Sequence, residues 1–164
     1  MSEAGERVEH DVSVICDGWR EVDAEALVMR VFDAVHGHES AARWPVSVLF
    51  TDNERLRELN RVFRGKDRPT NVLSFPAGDR QVEAHTCLGD IALAFETCRD
   101  EAAADDVSLA DHAAHLLVHG MLHLIGYDHH TEEAARVMET REAQILATLG
   151  IANPYGKLAE TNDE

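Results

Sequence analysis

His119-Gly120-Met121-Leu122-His123-Leu124-Ile125-Gly126-Tyr127-Asp128-His129 is the stretch on which the reading of this chain turns. Its three histidines follow the spacing H-x3-H-x5-H, with a glycine between the second and the third. On a helix, residues four apart lie about 40° apart around the axis and one turn apart along it, so His119 and His123 present their imidazoles to one side. Gly126 can end that helix in a left-handed conformation that a Cβ resists. The chain then turns back, and His129 can reach the same point from a loop. Three neutral imidazole nitrogens around one point describe a zinc site whose fourth position is left to water. One zinc ion per chain is the expected cofactor, with His119, His123 and His129 as its ligands. Histidine is abundant, ten in 164 residues, so exposed or hydrogen-bonded helix histidines are the competing reading. The glycine and the helical context favour the metal.

The spacing also matches the metzincin protease pattern H-E-x-x-H-x-x-G-x-x-H at every ligand and at the glycine. One position differs. Where those proteases carry the glutamate that serves as general base, this chain has Gly120. A peptidase or amidase reading therefore keeps its metal and loses its base. A three-histidine zinc site can still hydrolyse, because the metal activates water and polarises a phosphoryl or carbonyl oxygen.

Around this segment the chain alternates strand and helix patterns. Ser108 caps the histidine helix, whose Leu116, Leu117, Val118, Met121, Leu122 and Leu124 are apolar nearly all round, so it is expected at the centre of the protein. Thr131, Glu132 and Glu133 open a last amphipathic helix closed by Gly150. Upstream, 8–16 reads as a first strand and Asp23 caps a helix ending near Gly37. Val46–Phe50 is a second strand, and Asp52 or Asn53 caps a helix through Val62. Asn71–Phe75 and Leu88–Ala94 are further strands, the latter followed by a helix from Phe95 to Ala104. The expected fold is α+β, a small mixed four-stranded sheet packed with about five helices around a central metal-binding helix. It forms a single domain over 1–164 with a core of about 8–150, and the tail from Ala152 is expected to fray.

A chain of 164 residues, 45% hydrophobic, can bury a core without disulfide staples. Cys16, Cys87 and Cys98 are odd in number and lack any C-x-x-C pairing, which predicts reduced, inert thiols. The start has no basic-then-apolar order and no run reaches membrane-spanning length, so a cytoplasmic protein with no membrane partner is expected. The net charge of −16 argues at first sight against nucleic acid. Its distribution reverses that argument. Arg55, Arg57, Arg61, Arg64, Lys66 and Arg68 fall within fourteen positions against only Glu58 and Asp67, so this strip carries +4 and the remainder −20. A local basic strip can contact phosphates while the acidic remainder discourages indiscriminate binding. A solvated helix face is the competing reading of the strip.

Three blocks in order now carry a resemblance. His119 to His129 reads H-G-x-L-H-L-x-G-Y-D-H, Phe63 to Pro76 reads F-R-G-K-D-R-P-T-N-V-L-S-F-P, and Leu88-Gly89-Asp90-Ile91 precedes the histidine helix. Together they resemble the YbeY-type bacterial endoribonucleases over roughly residues 8 to 150. The resemblance implies a zinc-dependent, single-strand-specific endoribonuclease. It implies action on ribosomal RNA, in maturing the 3′ end of the 16S RNA of the small subunit, and a role in late-stage ribosome quality control. Single-stranded RNA, the small ribosomal subunit and ribosome-assembly proteins are the implied partners. It also implies zinc ligation by His119, His123 and His129, and a catalytic role for Arg64. Asn71 stands where many relatives carry aspartate, so the resemblance gives it no acid role.

In this reading Arg64 pairs with the scissile phosphate and stabilises developing negative charge. Lys66 and Arg68 hold flanking phosphates. Asp128 orients a ligand, serves as base or stabilises its turn. His112 and His115 are expected as hydrogen-bonded helix histidines, His130 lies one residue off the ligand spacing, and Asp90 ends a strand. The alternatives are a zinc-containing ribosome-assembly factor that binds RNA without cutting it, and the zinc peptidase or amidase.

Overall fold

The computed structural model of the chain describes residues 8–77 and 87–155. Strands β1 (Asp11–Val14), β2 (Val46–Thr51), β3 (Val72–Pro76) and β4 (Gly89–Ala94) form one sheet in the order β1-β2-β4-β3. The first three neighbours run parallel, and β3 lies antiparallel to β4 at an edge. Five helices pack on this sheet: α1 (Ala24–His38), α2 (Asn53–Arg64), α3 (Phe95–Asp105), α4 (Leu109–Leu124) and α5 (Glu132–Thr148). This is the α+β fold with a mixed four-stranded sheet that the sequence predicts.

Alternation along β2 decides the layering. Val46, Val48 and Phe50 join the main core with α1, α4 and α5, while Leu49 packs on the opposite face. There α2 lays Leu56 and Leu59 over Leu73, Ala92 and Ala94. Helix α4 is the centre of the first layer, with Leu117, Val118, Met121 and Leu122 fully buried. Gly120 faces the sheet, where a Cβ would come within 3.0 Å of Ile91 Cδ1. The missing side chain is therefore what lets α4 lie close on β4.

Helix starts follow the expected chemistry. The side chains of Asp23, Asp52, Ser108 and Thr131 each accept a hydrogen bond from the backbone N–H three residues on. Asp52, rather than Asn53, caps α2, because the Asn53 side-chain oxygen is taken by the amide and hydroxyl of Thr97. One expectation is corrected. The first strand spans Asp11–Val14 and not 8–16, and after it Asp17–Glu21 forms a 3-10 turn that drops Trp19 into the core. Its indole N–H donates to the Thr51 carbonyl at 2.8 Å, and its ring meets Phe50 and Phe95 edge-on. Of the tail from Ala152, residues 152–155 are described, and the Tyr155 hydroxyl donates to Glu142 Oε1 at 2.6 Å. Its remainder, 156–164, lies outside the described residues.

The three cysteines are unpaired. Burial first, and the nearby Glu101 charge second, push the Cys98 thiol up to about 12. No helix among the described residues is long and apolar enough to cross a membrane.

Candidate metal centre

The centre is built where α4 stops. Gly126 takes φ +112° and its N–H bonds the His123 carbonyl, while the Tyr127 N–H reaches back to the Leu122 carbonyl. This pair of bonds closes the helix in a Schellman motif. It swings residues 127–129 back over the last turn, so that His129 faces His119 and His123. The three rings stand 4.5 to 5.6 Å apart between centroids, and one nitrogen from each lies within 4.8 Å of the others. The spacing thus brings together the residues it predicts, in a cluster that could hold a metal ion.

Proton positions settle whether the donor set suits a metal. His119 Nδ1 lies 2.5 Å from Glu142 Oε2, and His123 Nδ1 lies 2.9 Å from the Tyr127 carbonyl. Both partners only accept, so each Nδ1 carries a proton and the lone pair of a neutral ring lies on Nε2. Those two Nε2 atoms are 3.1 Å apart. Two facing lone pairs repel unless a proton or a metal cation sits between them. Ligands at about 2.0–2.1 Å in tetrahedral array stand about 3.3 Å from each other, close to the spacing found. Burial, and then the neighbouring His119, hold His123 below the usual histidine range, which keeps its lone pair available.

Supports for this geometry come from elements distant in sequence. Burial alone would push the Glu142 carboxyl up, but bonds from His115, His119 and Tyr155 outweigh it and hold the group at about 2. The Tyr127 hydroxyl donates to Glu39 Oε2 at 2.5 Å, and Arg141 Nε donates to the same oxygen at 2.8 Å. The loop that carries His129 is thereby tied to α1 and α5. Sequence reasoning passed over Glu142, Tyr155 and Glu39. A signal for Glu142 was present: Met138, Glu142, Ile145 and Leu146 recur at helical spacing, and all four are buried, which puts a glutamate on an apolar stripe.

The remaining histidines are placed by hydrogen bonds. His112 Nε2 meets Glu101 Oε1 at 2.7 Å, and His115 Nε2 lies 3.3 Å from Glu142 Oε1. His130 is exposed and outside the cluster. Asp128 accepts the His130 N–H at 3.1 Å, the turn-stabilising role. Asn71 donates its amide to both oxygens of Glu101, a partner that an aspartate would repel. Asp90 sits in β4 opposite Phe75.

Arg64 is the last residue of α2, at the edge strand of the sheet. Its guanidinium donates to the Ser74 carbonyl at 3.1 Å and lies 5.7 Å from the Phe75 ring centroid, so among the described residues both contacts are with edge strand β3. The basic strip does not form one surface. Arg55, Arg57 and Arg61 line a cleft shared with Asp52, Glu54, Glu58 and Asp67, and Arg57 pairs with Asp67 at 2.7 Å. Arg64, Lys66 and Arg68 line a separate cleft of about 330 Å³ with Asn60, Pro69, Thr70, Val72 and Leu73. Among the described residues, no acidic one lines that second cleft.

Comparison with known proteins gives the family of the chain. The family model described as Endoribonuclease YbeY matches residues 16–150. An Endoribonuclease YbeY of Rhodopseudomonas palustris is 48% identical over 153 residues, covering 88% of this chain and 80% of its own. That of Paramagnetospirillum magneticum is 44% identical over 159 residues, covering 92% and 97%. The solution structure of TM1509 from Thermotoga maritima superposes with a TM-score of 0.60 over 93% of both chains, and its 23% identity speaks for the fold alone. By the extent of the family match and the identity of these relatives, the chain belongs to the Endoribonuclease YbeY family.

Proposed function

We propose that the protein is a zinc-dependent endoribonuclease that cuts single-stranded RNA during maturation of ribosomal RNA, at the 3′ end of the small-subunit 16S RNA. The observation that carries this reading is the cluster of His119, His123 and His129, with the first two Nε2 atoms 3.1 Å apart, in a chain of this family. His119, His123 and His129 are the residues that would hold the zinc ion. When bound there, zinc supplies Lewis-acid activation of water and of a phosphoryl oxygen. The donor set of three imidazoles with one open position is the catalytic zinc pattern, and a structural site would close all four.

The chain's own residues supply the rest. Arg64 is the residue assigned to the phosphate, where its planar fork can take two oxygens and neutralise charge that develops during cleavage. Lys66 and Arg68 line the same cleft and would hold neighbouring phosphates of the strand. Gly120 argues against a peptidase, since the protease glutamate is missing there and a Cβ at that position would already meet Ile91 Cδ1 at 3.0 Å. Late-stage ribosome quality control, with the small subunit and assembly proteins as partners, belongs to the same reading.

Zinc-loaded protein incubated with single-stranded RNA, duplex RNA and casein tests it. Cutting of the single strand alone is expected. Cleavage of casein alone would overturn the ribonuclease reading, and tight RNA binding without cutting would favour the assembly factor.

A further inference from the structure

Glu142 lies on the apolar stripe of α5 with its side chain 1% exposed. A carboxylate so far from water persists only where hydrogen bonds replace its hydration. Its described bonds all lead toward the histidine face. Oε2 accepts from His119 Nδ1 at 2.5 Å. Oε1 accepts from the Tyr155 hydroxyl at 2.6 Å and lies 3.3 Å from His115 Nε2, which is itself 3.3 Å from the Tyr155 oxygen. Among the described residues, no lysine or arginine pairs with it. The two oxygens are thus used differently. His115 and Tyr155 occupy Oε1 and fix the plane of the carboxylate, which leaves Oε2 aimed at His119. Among the described residues, the His123 Nδ1 partner is the uncharged Tyr127 carbonyl.

We propose that Glu142 is the positioning carboxylate of the metal centre, with His115 and Tyr155 as its clamp. It holds His119 in the tautomer with Nε2 bare, fixes the ring's orientation, and lends the imidazole negative charge. His119 becomes the stronger electron donor of the helical pair. This rests on the metal-centre reading above and adds an asymmetry between two ligands that the spacing makes look equivalent.

Wild type, Glu142→Gln and Tyr155→Phe are each loaded with Co2+, titrated against a chelator, and followed by visible absorption. Thermal unfolding of each metal-free protein is recorded in parallel. Glutamine keeps the volume and one acceptor oxygen and removes the charge. Glu142→Gln is expected to bind Co2+ roughly 10- to 100-fold more weakly, with displaced absorption bands, while the metal-free protein still unfolds cooperatively. Tyr155→Phe is expected to lose affinity in the same direction by a smaller factor. Wild-type affinity and spectrum in Glu142→Gln would overturn the proposal. Should Glu142→Gln fail to fold, a folded Tyr155→Phe with wild-type affinity and spectrum would overturn it equally. Folded wild type that takes up neither Co2+ nor Zn2+ would instead remove the metal centre itself, and the proposal with it.

Discussion

His119 and His123 share a helix face, yet each is oriented by a different group, a buried carboxylate behind one and a backbone carbonyl behind the other. The first partner is 23 residues away in sequence and the second only four, so the second was within reach of a local pattern and the first was not. Gly120 shows the reverse case. Its departure from the protease pattern is visible in the sequence, but the cause is visible only where α4 meets Ile91. Arg64 is placed by the resemblance and sits on β3, exposed, with one bond to the Ser74 carbonyl. Losing that bond removes about 1 kcal/mol, which the fold tolerates. Arg64→Ala is therefore expected to keep its metal and its thermal transition while RNA cutting falls by about a hundredfold. Metal analysis with single-turnover cleavage checks this, and unchanged cutting would remove Arg64 from the site.

At the scale of elements, the end of α4 decides whether three histidines meet. Gly126 adopts φ +112° with open space around it, so strain and not crowding is what a substitution meets there. Gly126→Ala is expected to lose about 1–2 kcal/mol of stability and to weaken metal binding, because the turn that returns His129 shifts. Denaturant unfolding with and without Zn2+ separates the two effects; equal losses in both would show that the turn does not serve the metal. Helix α2 and the loop after it make a second prediction. The sequence presents six basic residues as one run, but their placement on α2 and the loop after it divides them between a cleft shared with acidic residues and one that, among the described residues, has none. Lys66→Ala with Arg68→Ala is expected to lower the salt dependence of single-stranded RNA binding by roughly 0.7 in log–log slope per lost phosphate contact. Arg55→Ala is expected to leave it unchanged, since that side chain faces Glu58 at 3.7 Å in the other cleft.

For the whole molecule, the core is built from apolar side chains and includes none of the three histidines: α1, α4 and α5 fill one face of the sheet and α2 the other. Chelation is expected to lower Tm without unfolding the protein. At free metal about 100-fold above Kd the lost stabilisation is about 2.7 kcal/mol, a fall of roughly 5–10 °C for a chain of this size. Far-UV circular dichroism should stay native after chelation, and a collapse of the helical signal would make the site structural. Periodicity and caps exposed most elements, because helix and strand patterns are written in residues that are near neighbours. They missed the 3-10 turn at Trp19, whose burial depends on Thr51, Phe50 and Phe95, more than thirty positions on. The sequence alone determined the histidine triplet, the helix that carries two of its members and the glycine that returns the third, since all of that lies within eleven residues. Only the tertiary structure decided what stands behind the ligands and which basic residues share a cleft. Those contacts join α4 to α5, α1 to the histidine loop and α2 to β3, and no local spacing records a distance closed by packing.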